Sequence, residues 1–272
     1  MGRILCKSYI LPVRKIITYS FVALLFFLLG IKSSISFTQS DETNLRKGED
    51  SYFQAQELFL ESAAQHDVSL QILEESISLF TETEEQPTKY YWLAEVLYLM
   101  GVIEKDRNSH EKAKIYFSSS KESISTALKL KDFSEGYRLL ADVEGQLIIY
   151  GDLLYKTKFG PPIKNMINKA IKLDPGNEKA YFSLAMYYRD APFIAGGDLK
   201  KSEAVLKDMI DINKNTQIDL FSLYLWIETA WVNSEFNPEK ISDCISILDL
   251  FSNKEDIDSM IARIERKYMN NK

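Results

Sequence analysis

From Asn44 to the C-terminus, apolar residues return every third or fourth position, as in Leu93, Val96, Leu97, Met100 and Ile103, and strand-like alternation is almost absent. That period places the apolar set on one face of a helix, so the pattern predicts an all-α body. Interruptions fall at Thr83 to Thr88 with Pro87, Asp106 to Ser109, Lys131-Asp132, Phe159-Gly160-Pro161-Pro162, Asp174-Pro175-Gly176-Asn177, Ala191 to Asp198, Asn213 to Thr216, and Asn237-Pro238. They divide the body into about nine or ten helices joined by short turns. Pro162 and Pro238 are expected in first helical turns, and Asp198 and Asn237 as N-caps.

The helices are expected to pair and repeat. In the tetratricopeptide pattern of about 34 residues, small side chains let helix A approach helix B, and bulky ones fill the space to the next pair. Leu147, Tyr150, Gly151, Leu154, Ile163, Ile167, Ala170 and Pro175 occupy its offsets. The next unit carries Tyr181, Leu184, Ala185 and Tyr188, then an insertion of about five residues before Ser202, Leu206 and Met209. Upstream, Leu97, Met100, Gly101, Ala113, Phe117 and Ser120 give a third register, and downstream Trp226, Ala230 and Pro238 start a weaker one. The expected repeats are residues 94–127, 144–177 and 178–216, with weaker pairs at 44–86 and 223–256. From Leu97 to Leu147 the register is too long for one repeat, which predicts an over-long helix A from Ser134 to Tyr155 or an irregular half-turn. The fold class expected is a right-handed α-solenoid.

Residues 1–36 stand apart from the body at 37–272. They contain Arg3, Lys7, Arg14, Lys15 and Lys32 but no acid, and the apolar run 16–31 is followed by Ser34-Ile35-Ser36. This is the composition of a signal peptide cleaved after Ser36, or of a retained membrane anchor. Either would export the body. Loss of the five positive charges takes the net charge from −6 to −11, an acidity that argues against a nucleic-acid partner. Membrane contact is expected only through residues 16–31, if the leader is retained.

The sequence offers little for catalysis, and no enzyme, cofactor or metal site is expected. His66 and His110 read as surface or capping residues, without a serine or cysteine motif beside them. Glu74-Glu75 and Glu84-Glu85 are neighbours in sequence, which places the members of each pair on different helix faces. Cys244 reads as a small buried hydrophobe. Gly196-Gly197-Asp198 lacks the Gly-Lys-Ser/Thr ending of a phosphate loop, so the glycines are expected to turn the chain and Asp198 to cap the next helix.

Binding is the better prospect. The segment KFGPPIKNMINKAIKLDPGNEKAYFSLAMYYRDAPFIAGGDLKKSEAVLKDMI resembles tetratricopeptide-repeat proteins of the bacterial cell envelope. Its Phe-Gly-Pro-Pro, Leu-Asp-Pro and Ala-Pro…Gly-Gly-Asp elements look like those of the T-component proteins of tripartite (TRAP) transporters. That resemblance implies an exported scaffold or adaptor that binds another envelope protein or peptide segment, with a transporter's solute-binding protein as one such partner. The alternative is a helical protein that holds a small apolar ligand in its groove. In this architecture helix A lines the concave face, which points to Tyr98, Val102 and Lys105, to Ile148, Asp152, Tyr155 and Lys156, and to Phe182, Met186 and Arg189. The inserted loop of Pro192, Phe193, Gly196, Gly197 and Asp198 is expected to form the groove's rim or a partner contact, or to pack locally through Phe193. No repeat carries the Lys and Asn pair of a carboxylate-gripping clamp.

Overall fold

A computed structural model describes residues 40–212 of the chain, and within them every regular element is helical. The leader, the weak repeat at 223–256, Cys244, and the breaks at Asn213 to Thr216 and Asn237-Pro238 lie outside the described residues. Helix α1 covers 40–61, and a 3-10 turn, Ala63–Gln65, leads into α2, His66–Thr81. There follow α3 (Pro87–Asp106), α4 (His110–Leu130), α5 (Ser134–Tyr150), α6 (Leu153–Leu173), α7 (Glu178–Asp190), a 3-10 turn at Phe193–Ala195, and α8 (Leu199–Ile212).

The helices form hairpins α1/α2, α3/α4, α5/α6 and α7/α8. Each second helix packs on the first helix of the next hairpin, and the first helices α3, α5 and α7 also touch in succession. This is an α-solenoid. Its second helices share one pattern of buried residues: Ser69, Leu73 and Ser76; Ala113, Phe117 and Ser120; Ile163, Ile167 and Ala170; Ser202, Leu206 and Met209. The bulky member fills the space between the helices, and the small members let them approach. Gly101 lies against the Phe117 ring and Gly48 against Phe80, where an added Cβ would stand 2.6 Å from the ring in each case. Buried serines tie the hairpins through their hydroxyls. Ser76 donates to Gly48 O at 2.8 Å, Ser120 to Ala94 O at 2.7 Å and Ser202 to Ala185 O at 2.8 Å. Burying a hydroxyl is costly without a partner, so these bonds specify which turns face each other.

Apolar burial is layered between hairpins. Tyr52, Phe59, Leu73, Phe80, Leu99 and Ile103 form the first core, and Ala94, Phe117, Ile124, Leu139 and Leu147 belong to the second. Ala141, Ile163, Ile167 and Leu184 form the third.

Two expectations are corrected here. The turn between α5 and α6 falls at Gly151-Asp152, and α6 continues through Pro161 and Pro162. Helix A therefore ends at Tyr150, Leu154 is 78% exposed at the start of α6, and Pro162 is well inside that helix. The Asp152 side chain accepts the Tyr155 N–H at 2.8 Å, which fixes the start of α6. Gly151 has no side chain to strike Tyr155 across this short turn, where a Cβ would stand 2.8 Å from that of Tyr155. Its role is thus in the turn and not at a helix crossing. Both prolines are exposed, so their rings sit outside the packing. Because an interior proline removes a main-chain hydrogen bond, Pro161→Ala is expected to raise stability by about 1–3 kcal/mol. Thermal unfolding checks this, and a loss of stability would place the turn back at the prolines.

His66 is the other correction. It opens α2 but is buried, stacked on Phe59 and 3.5 Å from Asp106 Oδ2. Its ring is therefore part of the junction between α2 and the end of α3. His110 is exposed at the start of α4, as expected.

Candidate functional site

The first helices of the four hairpins share an inner face. Tyr52 and Gln56 of α1, Glu95 and Tyr98 of α3, Arg138 and Asp142 of α5, and Phe182, Ser183 and Met186 of α7 meet around a space of about 30 Å³, beside Lys179. Tyr52, Glu95, Arg138 and Phe182 follow one another at intervals of 43, 43 and 44 residues. The inner face thus repeats with a period longer than the 34-residue pattern, since α4 and α6 are each 21 residues long.

Of the residues expected on this face, Tyr98, Phe182 and Met186 are brought together there, with Tyr98 and Phe182 buried. Val102 instead packs between the first two cores. Lys105 Nζ donates to Gln146 Oε1 at 2.8 Å, which joins α3 to α5. Ile148 packs against the third core, and Arg189 is paired with Asp190. Tyr155 lies elsewhere. Its hydroxyl donates to Glu144 at 2.9 Å, its ring lies against Phe159, and it lines a separate cleft of about 930 Å³ with Asp152, Lys114, Lys121 and Lys129. Lys156 is exposed on α6. Ile148, Asp152, Tyr155 and Lys156 leave the groove because the α5 register is about two to three turns earlier than Leu147 and Gly151 imply. Arg138 and Asp142 take their place.

That substitution changes the chemistry of the face from apolar to charged at its centre. Arg138 is buried and donates through Nη2 to Glu95 of α3 and through Nε to Glu135 at 3.0 Å, while Nη1 reaches Asp142 at 3.1 Å. Tyr91 donates to Glu95 at 2.8 Å, and Tyr52 lies 3.4 Å from the other oxygen of Glu95. Gln56 Nε2 in turn donates to the Tyr52 hydroxyl at 3.3 Å. A polar chain therefore crosses α1, α3 and α5. Burial opposes a charge on Arg138, but Glu135, Glu95, Tyr91 and Asp142 together hold its pKa well above the usual value. Burial pushes the Tyr98 hydroxyl above its ordinary range as well. The signal for this network in the sequence was the 43-residue spacing of Tyr52, Glu95 and Arg138, with Glu135 and Asp142 one turn to either side of the arginine.

Asp142 is the carboxyl of this network that burial pushes up. Burial raises its pKa from 3.8 to about 6, although Arg138 and Ser183 pull it down. The folded chain therefore keeps a proton between about pH 4 and 6 that the unfolded chain releases, and this contribution to stability is lost as pH rises through about 6. Asp142→Asn is neutral at every pH. It is expected to exceed the wild type in stability by about 1–3 kcal/mol at pH 8 and to match it near pH 4. The side chain is 18% exposed, which favours the lower end of that range. Chemical denaturation at both pH values checks the sign.

The architecture finds its parallel among solved structures. TTC0263, a thermophilic tetratricopeptide-repeat protein of Thermus thermophilus, is similar over 82% of this chain and 99% of its own, with a TM-score of 0.53 and 14% identity. The fold is an α-solenoid like that of tetratricopeptide-repeat proteins. YrrB, a tetratricopeptide-repeat protein with an unusual peptide-binding site, is similar over 84% of this chain and 97% of its own, with a TM-score of 0.35 and 13% identity. No family model matches the sequence, and neither does any curated protein.

Proposed function

We propose that this repeat solenoid is an exported scaffold that holds an extended segment of another envelope protein across the inner face of α1, α3, α5 and α7. The observation that carries the reading is the composition of that face. Met186 is partly exposed at one end and offers adaptable apolar contact over the buried Phe182 ring, while the buried Tyr52, Gln56 and Tyr98 form the floor at the other. The buried Arg138 network between them fixes the spacing of α1, α3 and α5, so the surface is formed before a partner arrives. The leader at 1–36 supplies export, and the resemblance to T-component proteins makes a transporter's solute-binding protein the first partner to test. A space of about 30 Å³ holds a water or two, which favours a segment laid over the face rather than an enclosed apolar ligand.

Met186→Ala, which removes the partly exposed contact, and Phe182→Ala, which removes the buried ring one helical turn before it, are each expected to weaken capture of purified partner about tenfold. Ile115→Ala, at an exposed position on α4, is expected to leave it unchanged. Binding isotherms with the solute-binding protein check both. Equal losses from all three variants, or none from the first two, would remove the inner face from the interaction.

A further inference from the structure

The insertion after α7 projects two apolar side chains into water. Phe193 is 91% exposed and Ile194 96%. Their display is built into the backbone. Gly196 sits at φ 94°, a left-handed conformation, and a Cβ on Gly197 would collide with the Ala191 carbonyl oxygen. The Tyr187 hydroxyl donates to Ala195 O, and the Asp198 N–H to Tyr188 O at 2.7 Å. Asp198 then accepts the Lys200 and Lys201 N–H groups and so fixes the start of α8. The loop is tied at both ends, yet its two largest side chains take no part in the tying.

Charges of both signs stand at the base of this tip, with a small excess of cations in an acidic chain. Lys164 and Lys201 lie 4.8 and 5.8 Å from the Tyr188 ring centroid, and Lys200 is exposed on the first turn of α8. The acids close by are Asp198, 3.3 Å from Lys201, and Asp190, which pairs with Arg189, with Glu203 a turn further along α8. Among the described residues, cations therefore outnumber acids at the base of the loop.

We propose that the Phe193-Ile194 tip inserts into the interface of an anionic lipid bilayer, with Lys164, Lys200 and Lys201 against the headgroups. Two side chains offer a few hundred Å² at most, well below the roughly 800 Å² per partner of a stable protein interface. A bilayer demands no complementary shape, only an apolar tip that reaches below the headgroups and cations that stay among them. The proposal uses none of the inner-face residues.

The test uses the full chain with Cys6→Ser and Cys244→Ser, and an environment-sensitive fluorophore on Ile194→Cys or, as the control, on Ile115→Cys. Vesicles of phosphatidylcholine with phosphatidylglycerol are expected to shift the emission at 194 to the blue with a several-fold rise in intensity, and to leave 115 unchanged. Phosphatidylcholine alone should give little response, and Lys164→Glu, Lys200→Glu and Lys201→Glu combined should abolish the preference for anionic lipid. Co-sedimentation shows in each case whether the chain is on the vesicle, so attachment through residues 16–31 is read separately from the tip. An unchanged spectrum at 194 on sedimented vesicles overturns the proposal. So does an equal response at 115, or a shift at 194 that follows protein concentration without lipid, which would assign the tip to a second copy of the chain.

Discussion

Arg138→Met is expected to lower stability by about 3–5 kcal/mol, because it leaves the buried Glu95 carboxylate without its cation and removes the link between α3 and α5. In a body of this size that corresponds to a fall of about 10 °C or more in Tm. The side-chain volume is nearly kept, so the loss belongs to the unpaired charge and not to a cavity. Glu95→Gln in the same chain removes that charge, and the double variant is expected to recover most of the stability. The interaction energy between the two sites, read from a double-mutant cycle, should therefore be large and opposite in sign to the single losses. A double variant no better than Arg138→Met would mean that Glu95 is not the residue left stranded.

The second large effect is at Gly101. Gly101→Leu is expected to cost about 1–3 kcal/mol or more, since its first side-chain carbon already falls 2.6 Å from the Phe117 ring, which is wholly buried and has nowhere to move. Gly145→Ala supplies the contrast. It is also inside a helix, but nothing lies within 4 Å of the added carbon, so the gain in helix propensity should raise stability by about 0.5–1 kcal/mol. Two helical glycines therefore respond in opposite directions. Equal responses in Tm would show that the α3/α4 crossing is not at Gly101.

The helix B positions were legible in the sequence because they combine a short period with a size code. Ala113, Phe117 and Ser120, then Ile163, Ile167 and Ala170, then Ser202, Leu206 and Met209 are buried as their pattern of small and large residues implies. The same holds for the cap at Asp198, which accepts backbone N–H groups at a helix start. Helix A of the third hairpin was not legible from the repeat pattern, because Leu147 and Gly151 match it by spacing while Gly151 serves a turn. The two prolines of α6 pointed the same way, since their usual meaning is a break, and here the Asp152 cap sets the boundary instead. A buried arginine is hidden for a different reason. Its charge reads as surface until its acids on α3 and α5 are placed around it, and only the 43-residue interval from Tyr52 through Glu95 to Arg138 joins them. The insertion marked Phe193 as a candidate for the groove's rim, a partner contact or local packing, and only the glycine geometry and the exposure show that Phe193 and Ile194 are held outward.

The binding role of the inner face is tested most directly by a photo-crosslinking amino acid placed at Met186 and, separately, at Ile115 in cells that make the full chain, followed by mass spectrometry of the joined peptides. The expected result is one partner segment joined at 186 and lost when Phe182→Ala is added, with no product at 115. A product at 115 that survives Phe182→Ala, with none at 186, would contradict it and move the interaction to the outer helices.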